Sequence, residues 1–258
     1  MTRRLRTVLL EVWLPVVGIA LWWVLSDDST SPFFPPLRRI AEAFRDNWLF
    51  ARIDTDLVPS LTRFVEGFLI ATVVGVLLGL VLGLWPLARR ALAPTIDFVR
   101  SIPAPALISV MILLIGFGDG MKVAAIALAS TFPILLNTID GVRGVEPQQL
   151  DMARVYKLGY WHRITRIVLP AASPQIFAGM RVALAVALLV MAFSEMFAGT
   201  NGLGFFIVFA QETYRIPDMW AGIVMLGIVG YAVNLCFLAF ERRILRWHRG
   251  WRATAQDR

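Results

Sequence analysis

The sequence has a single cysteine, two histidines and only 17% charged residues. One cysteine excludes an intrachain disulfide, and Cys236 sits in an apolar run, where a thiol acts as a small hydrophobe. His162 and His248 lie far apart among arginines, a poor setting for a metal. No glycine-rich loop ends in Gly-Lys-Ser/Thr, so this chain is not expected to bind ATP. HExxH and GxSxG are absent as well. An enzyme assembled from separate helices would draw on Ser194, Glu195 and Asn137. Polar residues near span ends more often tie helices together than do chemistry.

What the sequence has in abundance is apolar side chains, at 58%. They fall into runs at Thr7–Leu25, Arg63–Trp85, Arg100–Phe117, Met121–Ile139, Gln175–Ala198 and Met219–Phe240. Several approach the roughly 20 residues a helix needs to cross a bilayer. The expectation is an all-α polytopic membrane protein with about six transmembrane helices. The first run follows Arg3, Arg4 and Arg6, as a signal peptide would. It ends in Trp22-Trp23-Val24-Leu25 rather than small residues, which favours a retained anchor. Glu11 falls near its inner end, where a charge is cheaper than at mid-membrane. Pro103 and Pro105 interrupt the start of the third run.

Six spans with the N-terminus inside put the C-terminus inside too. Eighteen of the 25 Lys and Arg residues then lie on the cytoplasmic side. They are the head group of three, Arg89, Arg90 and Arg100, a middle set from Arg143 to Arg181, and the tail from Arg242 to Arg258. This satisfies the positive-inside rule, and the reversed orientation fails it. The net charge of +7 is thereby explained without nucleic acid, for which no recognition motif occurs. Trp85, Trp220, Trp247 and Trp251 flank spans as interface or lipid-facing bulk. Between the first two spans, Pro35-Pro36 precedes Leu37, Ile40, Phe44 and Leu49 at helical spacing, with Arg38, Arg39, Glu42 and Arg45 between them. That pattern predicts an amphipathic helix lying on lipid or on the bundle.

The stretch from Glu146 to Pro174 is charged and punctuated by turns, between two very apolar segments. Pro147 suits a first helical position, and Gly159 suits the left-handed position after a helix end. A helix between them carries Leu150, Ala153 and Tyr156, with an Asp151–Arg154 pair. Trp161, Ile164, Ile167 and Val168 repeat at helical spacing, opposite His162, Arg163 and Arg166. Leu169-Pro170 is expected to stop that second helix, and Ser173-Pro174 to start the next span. The result is a helix–turn–helix with apolar knobs and cationic flanks, better suited to dock a partner protein than to serve as a plain connector.

This stretch resembles the cytoplasmic EAA loop of binding-protein-dependent ABC transporter permeases, with its Glu-Ala-Ala, Gly and Ile-x-Leu-Pro pattern. Asp151 falls at the Glu position, Ala153 at the third, and Ile167, Leu169 and Pro170 match the end. Lys157 stands where the family usually has Gly, and Gly159 follows two later. Over most of its length the chain is similar to the nitrate/sulfonate/taurine branch. The matching segments are "VRSIPAPALIS", with Ser109 near the place of the branch's last proline, and "SEMFAGTNGLGFFI". The resemblance implies a type I ABC importer permease fold, one transmembrane domain over 1–258, with a coupling loop at about 140–174. It further implies a bacterial inner-membrane subunit, non-catalytic, with ATP and Mg used by separate ATPase subunits. An extracytoplasmic solute-binding protein would deliver the solute, and a second permease copy would complete the pathway within lipid. Asp151, Ala153, Gly159, Trp161, Ile164, Ile167, Leu169 and Pro170 become the expected ATPase-coupling residues. Branch membership points to small organic anions such as alkanesulfonates or taurine, with nitrate, bicarbonate or pyrimidine precursors as relatives. Glu195 and Arg181, near opposite ends of the fifth span, are better read as packing or interface residues than as pore lining. A secondary transporter is the alternative; it would show internal repeats, and none is evident.

Overall fold

Proline marks where the helices begin. In the computed structural model the described residues are 3–246 other than 28, 30 and 32, with the side chains of 3–12, 15 and 50 also left out. The expected tail residues Trp247, Arg249, Trp251, Arg252 and Arg258, and the side chains of Arg3, Arg4, Arg6 and Glu11, lie outside the described residues. The helices are α1 (Arg3–Ser26), α2 (Leu37–Asp46), α3 (Val58–Leu84), α4 (Pro86–Ser101), α5 (Ala104–Ile115), α6 (Asp119–Arg143), α7 (Pro147–Val155), α8 (Tyr160–Arg163), α9 (Leu169–Ala198), α10 (Leu203–Glu212) and α11 (Ile216–Ile244). Four of them, α4, α5, α7 and α11, carry proline at the first or second position after a non-helical residue, where its missing N–H leaves no bond unmade, whereas Pro59 of α3 and Pro170 of α9 follow a π-helical turn. No strand occurs among the described residues.

Four helical stretches are long and apolar enough to cross a membrane: Ile53–Leu84, Asp119–Arg143, Tyr160–Ala198 and Ile216–Ile244. The expected third span departs from a simple rod. There α4 and α5 meet at Ile102-Pro103 and bend by 95°, so that together they form at most one broken span. Proline disfavours helix at the residue before it, and Ile102 is accordingly extended (ψ 124°). The first expected run is helical in α1, whose Trp22 packs on Phe34 and Trp220 to tie it to the bundle. The amphipathic α2 buries Ile40, and just past its end Asn47 donates to Asp218 of α11 at 2.6 Å. The bundle, rather than lipid alone, therefore receives its apolar face.

A seam of small residues sets the centre of the fold. Gly67, Ala71, Gly75, Gly79 and Gly83 recur every fourth residue along α3, so they form one stripe. Parallel to it, α6 presents Ile126, Ile134, Thr138 and Val142 in matching register. A Cβ on Gly79 would come within 2.4 Å of the Thr138 Cβ. Contact this close between backbones is how helices associate when lipid tails are as apolar as the side chains. On its other side α6 meets α9 antiparallel, with Gly179 against Asn137 and Gly141 against Ala172. The three-helix core has the α7–α8 loop at one end and a buried polar cluster at the other.

Candidate functional site

The α7–α8 loop is a rigid projection. Its inner side is rooted by Leu150, Ile167, Val168 and Leu169, which pack with Val142, Val145, Ala172 and Ile176 and against Leu80 and Leu84 of α3. Its outer side exposes Met152, Val155, Tyr156, Leu158, Tyr160 and Trp161, the last at 72%. Tyr160 and Trp161 meet edge to face at 5.8 Å. Asp151 and Arg154 form the expected exposed pair at 2.8 Å.

The turn itself corrects the sequence reading. Lys157, and not Gly159, takes the left-handed conformation, at φ 51°. The N–H of Leu158 bonds to the Ala153 carbonyl at 2.9 Å and that of Lys157 to the Arg154 carbonyl at 3.0 Å. These are the two bonds of a Schellman motif with Lys157 in the place glycine usually takes. Gly159 is extended (φ −61°) and caps α8, and a Cβ there would meet nothing within 4 Å. Holding a non-glycine side chain in the left-handed region costs about 1 kcal/mol.

The helix does not stop at Leu169-Pro170, nor does a new one start at Ser173-Pro174. A π-helical turn at Ile164–Val168 joins α8 to α9 without a break. A proline ring clashes with the carbonyl four residues back, and the wider turn just before Pro170 relieves that clash. Pro174 lies inside α9, and the Ser173 hydroxyl donates to the Pro170 carbonyl at 2.8 Å instead of capping. The loop therefore continues rigidly into the span.

The expected coupling residues divide in two. Asp151, Gly159 and Trp161 are exposed and free to contact another molecule; Ala153 and Ile164 are buried, and Ile167, Leu169 and Pro170 are half-buried. The second set positions the first. Tyr156 and Tyr160 join the exposed face without having been singled out as coupling residues, although the helical repeat through Ala153 and Tyr156 carried the signal.

At the other end of the bundle, Glu195 is fully buried. Its carboxylate accepts from the Ser60 hydroxyl (2.7 Å), Arg63 Nη1 (2.8 Å) and the Gly204 backbone N–H (3.0 Å). Arg63 Nη2 reaches Asp119 at 2.7 Å and the Asn201 side-chain oxygen at 2.5 Å. Asp56 accepts from the Gly202 N–H at 2.9 Å, and Ser60 from the Leu203 N–H at 2.9 Å. The N–H groups of Gly202, Leu203 and Gly204, where α10 begins, are thus satisfied by side chains from the turn before α3, from α3 and from α9. Gly202 is required twice over: its φ is +112°, and a Cβ would lie 2.4 Å from the Glu195 carboxyl carbon. Buried Lys122 of α6 also reaches Asp119, at 3.4 Å, and Arg52 pairs with Asp56 at 3.1 Å, so the cluster that joins α3, α6, α9 and α10 sets three cations against three carboxylates. Of the other polar residues an enzyme would draw on, Ser194 donates to the Met191 carbonyl, and Asn137 to that of Pro133. Arg181 likewise pairs with Glu241 of α11, at 2.5 Å. A cavity of about 480 Å³ opens at the α4–α5 break, lined among others by Arg100, Ser101, Phe132 and Asn137.

Residues 71–249 match the family described as binding-protein-dependent transport system inner membrane component. The chain is 29% identical to the putative aliphatic sulfonates transport permease of Bacillus subtilis, over 92% of this chain and 87% of that protein. It is also 29% identical to the taurine transport system permease of Escherichia coli, over 94% and 91%, and 28% identical to a bicarbonate transport system permease of Synechococcus elongatus, over 91% and 90%. In fold it is similar to the inward-facing MetNI methionine ABC transporter, with a TM-score of 0.58, 18% identity, and 76% of this chain and 95% of that one covered. A bacterial alginate ABC transporter gives 0.57 at 15% identity, over 95% and 98%. With most of its spans inside the matched region, the chain belongs to the binding-protein-dependent inner-membrane permeases of ABC importers.

Proposed function

We propose that this permease forms half of the pathway of an ATP-driven importer for a small organic anion, and that the α7–α8 loop couples it to a separate ATPase subunit. The observation carrying this reading is the exposed apolar face of Tyr156, Tyr160 and Trp161 on a loop rooted in the bundle. Aromatic side chains held on a rigid element are the usual anchors of a protein interface. Because α8 runs without a break into the span Tyr160–Ala198, displacement of the loop by a closing ATPase pair moves a membrane helix as a unit. ATP binding then turns the pathway outward and hydrolysis resets it. An extracytoplasmic binding protein delivers the solute, and a second copy of this chain completes the pathway. The α4–α5 break supports this arrangement, since irregular backbone at membrane depth is tolerated only within protein or beside a water-filled cavity.

The sulfonate, taurine and bicarbonate systems named for the relatives share a small solute that carries an anionic oxyacid group, and we assign that class here. The test is uptake into proteoliposomes holding this permease, its ATPase and its binding protein, with labelled taurine and an alkanesulfonate, and nitrate and bicarbonate as competitors. ATP-dependent uptake of one of these anions is expected. Accumulation driven by an ion gradient without the ATPase overturns the reading in favour of a secondary transporter.

A further inference from the structure

We propose that Lys157 is the residue through which this loop selects its ATPase subunit, by pairing its ammonium group with an acidic side chain in the groove that receives Tyr156, Tyr160 and Trp161. The inference rests on the docking reading above and adds the chemistry of the partner's surface. Three observations carry it. The turn needs a left-handed residue at 157, where glycine is unstrained, yet lysine is held there at φ 51° while Gly159 sits at φ −61° and makes no use of its freedom. A lysine kept against the backbone's preference has a use beyond the turn.

The second observation is that Lys157 has no carboxylate partner among the described residues. Between Pro147 and Val168 the only acidic residue is Asp151, and Arg154 holds it at 2.8 Å. Among the described residues no carboxylate lies within ion-pair distance of Lys157, which is exposed. The third is its setting, between exposed Tyr156 and Leu158 and close in sequence to the Tyr160–Trp161 pair. When that apolar face is covered, the ammonium loses its water, and a cation so placed needs a carboxylate from the partner. A protein groove is favoured over a lipid surface because the face is held in one geometry by the root at Ile164 and Val168.

The experiment compares Lys157→Gly, Lys157→Arg and Lys157→Glu in the full permease, co-expressed with the tagged ATPase subunit of the same transporter. Lys157→Gly should melt at or above the wild-type temperature when the permease is purified alone, yet capture roughly tenfold less ATPase. Arginine should restore capture and glutamate should lower it further. Wild-type capture should fall with added salt more steeply than that of the glycine variant. Carbodiimide treatment of the wild-type complex should join Lys157 to an Asp or Glu of the ATPase, as mapped by mass spectrometry. Undiminished capture by Lys157→Gly overturns the proposal, as does a fall in melting temperature that tracks the loss. So does a loss seen in anionic-lipid nanodiscs and absent in neutral ones, which would assign the ammonium to a headgroup. Trp161→Ala separates the two readings: if it loses the ATPase while Lys157→Gly does not, the loop docks and only the lysine's role fails.

Discussion

Arg63 near the start of α3 and Glu195 near the end of α9 form an ion pair of 2.8 Å with both side chains almost wholly buried. Neither charge is left to the pair alone. Asp119 and Asn201 add partners for the Arg63 Nη atoms, although its buried Nε has none among the described residues, and Ser60 and the Gly204 N–H complete Glu195; such added bonds are what a buried pair needs to offset its desolvation. Removing one partner is then worse than removing both. Glu195→Ala should lower the stability of the purified permease by about 3 kcal/mol or more, by stranding the Arg63 guanidinium. The double variant Arg63→Met, Glu195→Leu should lose less than the sum of its two single changes, read from melting in detergent. Strict additivity would show that the two side chains do not interact.

Gly202 and Gly159 make opposite predictions. Gly202→Ala places a methyl group against the Glu195 carboxylate at a φ of +112° and should destabilise by about 2 kcal/mol or more. Gly159→Ala meets open space at an ordinary φ and should shift stability by no more than about 0.5 kcal/mol. Thermal melting of the two variants side by side decides it. An equal loss at both sites would contradict the placement of Lys157, rather than Gly159, at the left-handed position.

The glycine seam should tolerate no side chain. Gly79→Val drives a branched group into Thr138, where a Cβ alone already comes within 2.4 Å, and should cost about 1–3 kcal/mol as overpacking. Gly227→Ala on α11 is the control, since nothing lies within 4 Å of its Cβ position. Yield of monodisperse protein and melting temperature are the readouts.

Trp161→Ala should leave the isolated permease as stable as wild type, because the ring is 72% exposed. On the docking reading it weakens ATPase capture by about 2 kcal/mol, roughly 30-fold. Wild-type capture and uptake in this variant would remove the loop from the coupling pathway.

Orientation is open to direct measurement. In a Cys236→Ser background, Gln148→Cys on the exposed first turn of α7 should react with a membrane-impermeant maleimide only after the cells are opened. Labelling of intact cells would reverse the topology drawn from the arginines.

Much of the architecture is set by local chemistry and is legible without coordinates. The spans at 121–139, 175–198 and 219–240 announce themselves because a lipid-facing helix must be apolar on every side. The amphipathic 37–46 segment and the Asp151–Arg154 pair follow from helical spacing alone. Local pattern places Arg63 at a span boundary, yet the structure buries it. Its partners Asp119, Glu195 and Asn201 are far away in sequence, and no periodicity records such a pairing. A signal was present, because a glutamate inside an apolar run such as that at 195 calls for a cation somewhere. Which cation answers it was decided only when α3, α6 and α9 closed along the small-residue seam. The turn at Lys157 shows the same limit at short range. Gly159 and Lys157 are both close enough to the end of α7 to close it, and glycine has the better intrinsic preference. The packing of Leu150 below and of Val168 and Leu169 above instead accompanies a helix end at Val155, which puts Lys157 at the left-handed position and outweighs a backbone preference of about 1 kcal/mol. Composition and periodicity determine that this chain is a bundle of membrane helices with a charged, turn-punctuated loop; tertiary contact decides which charges are buried together and which residue bears the turn, because those choices depend on neighbours the local sequence does not contain.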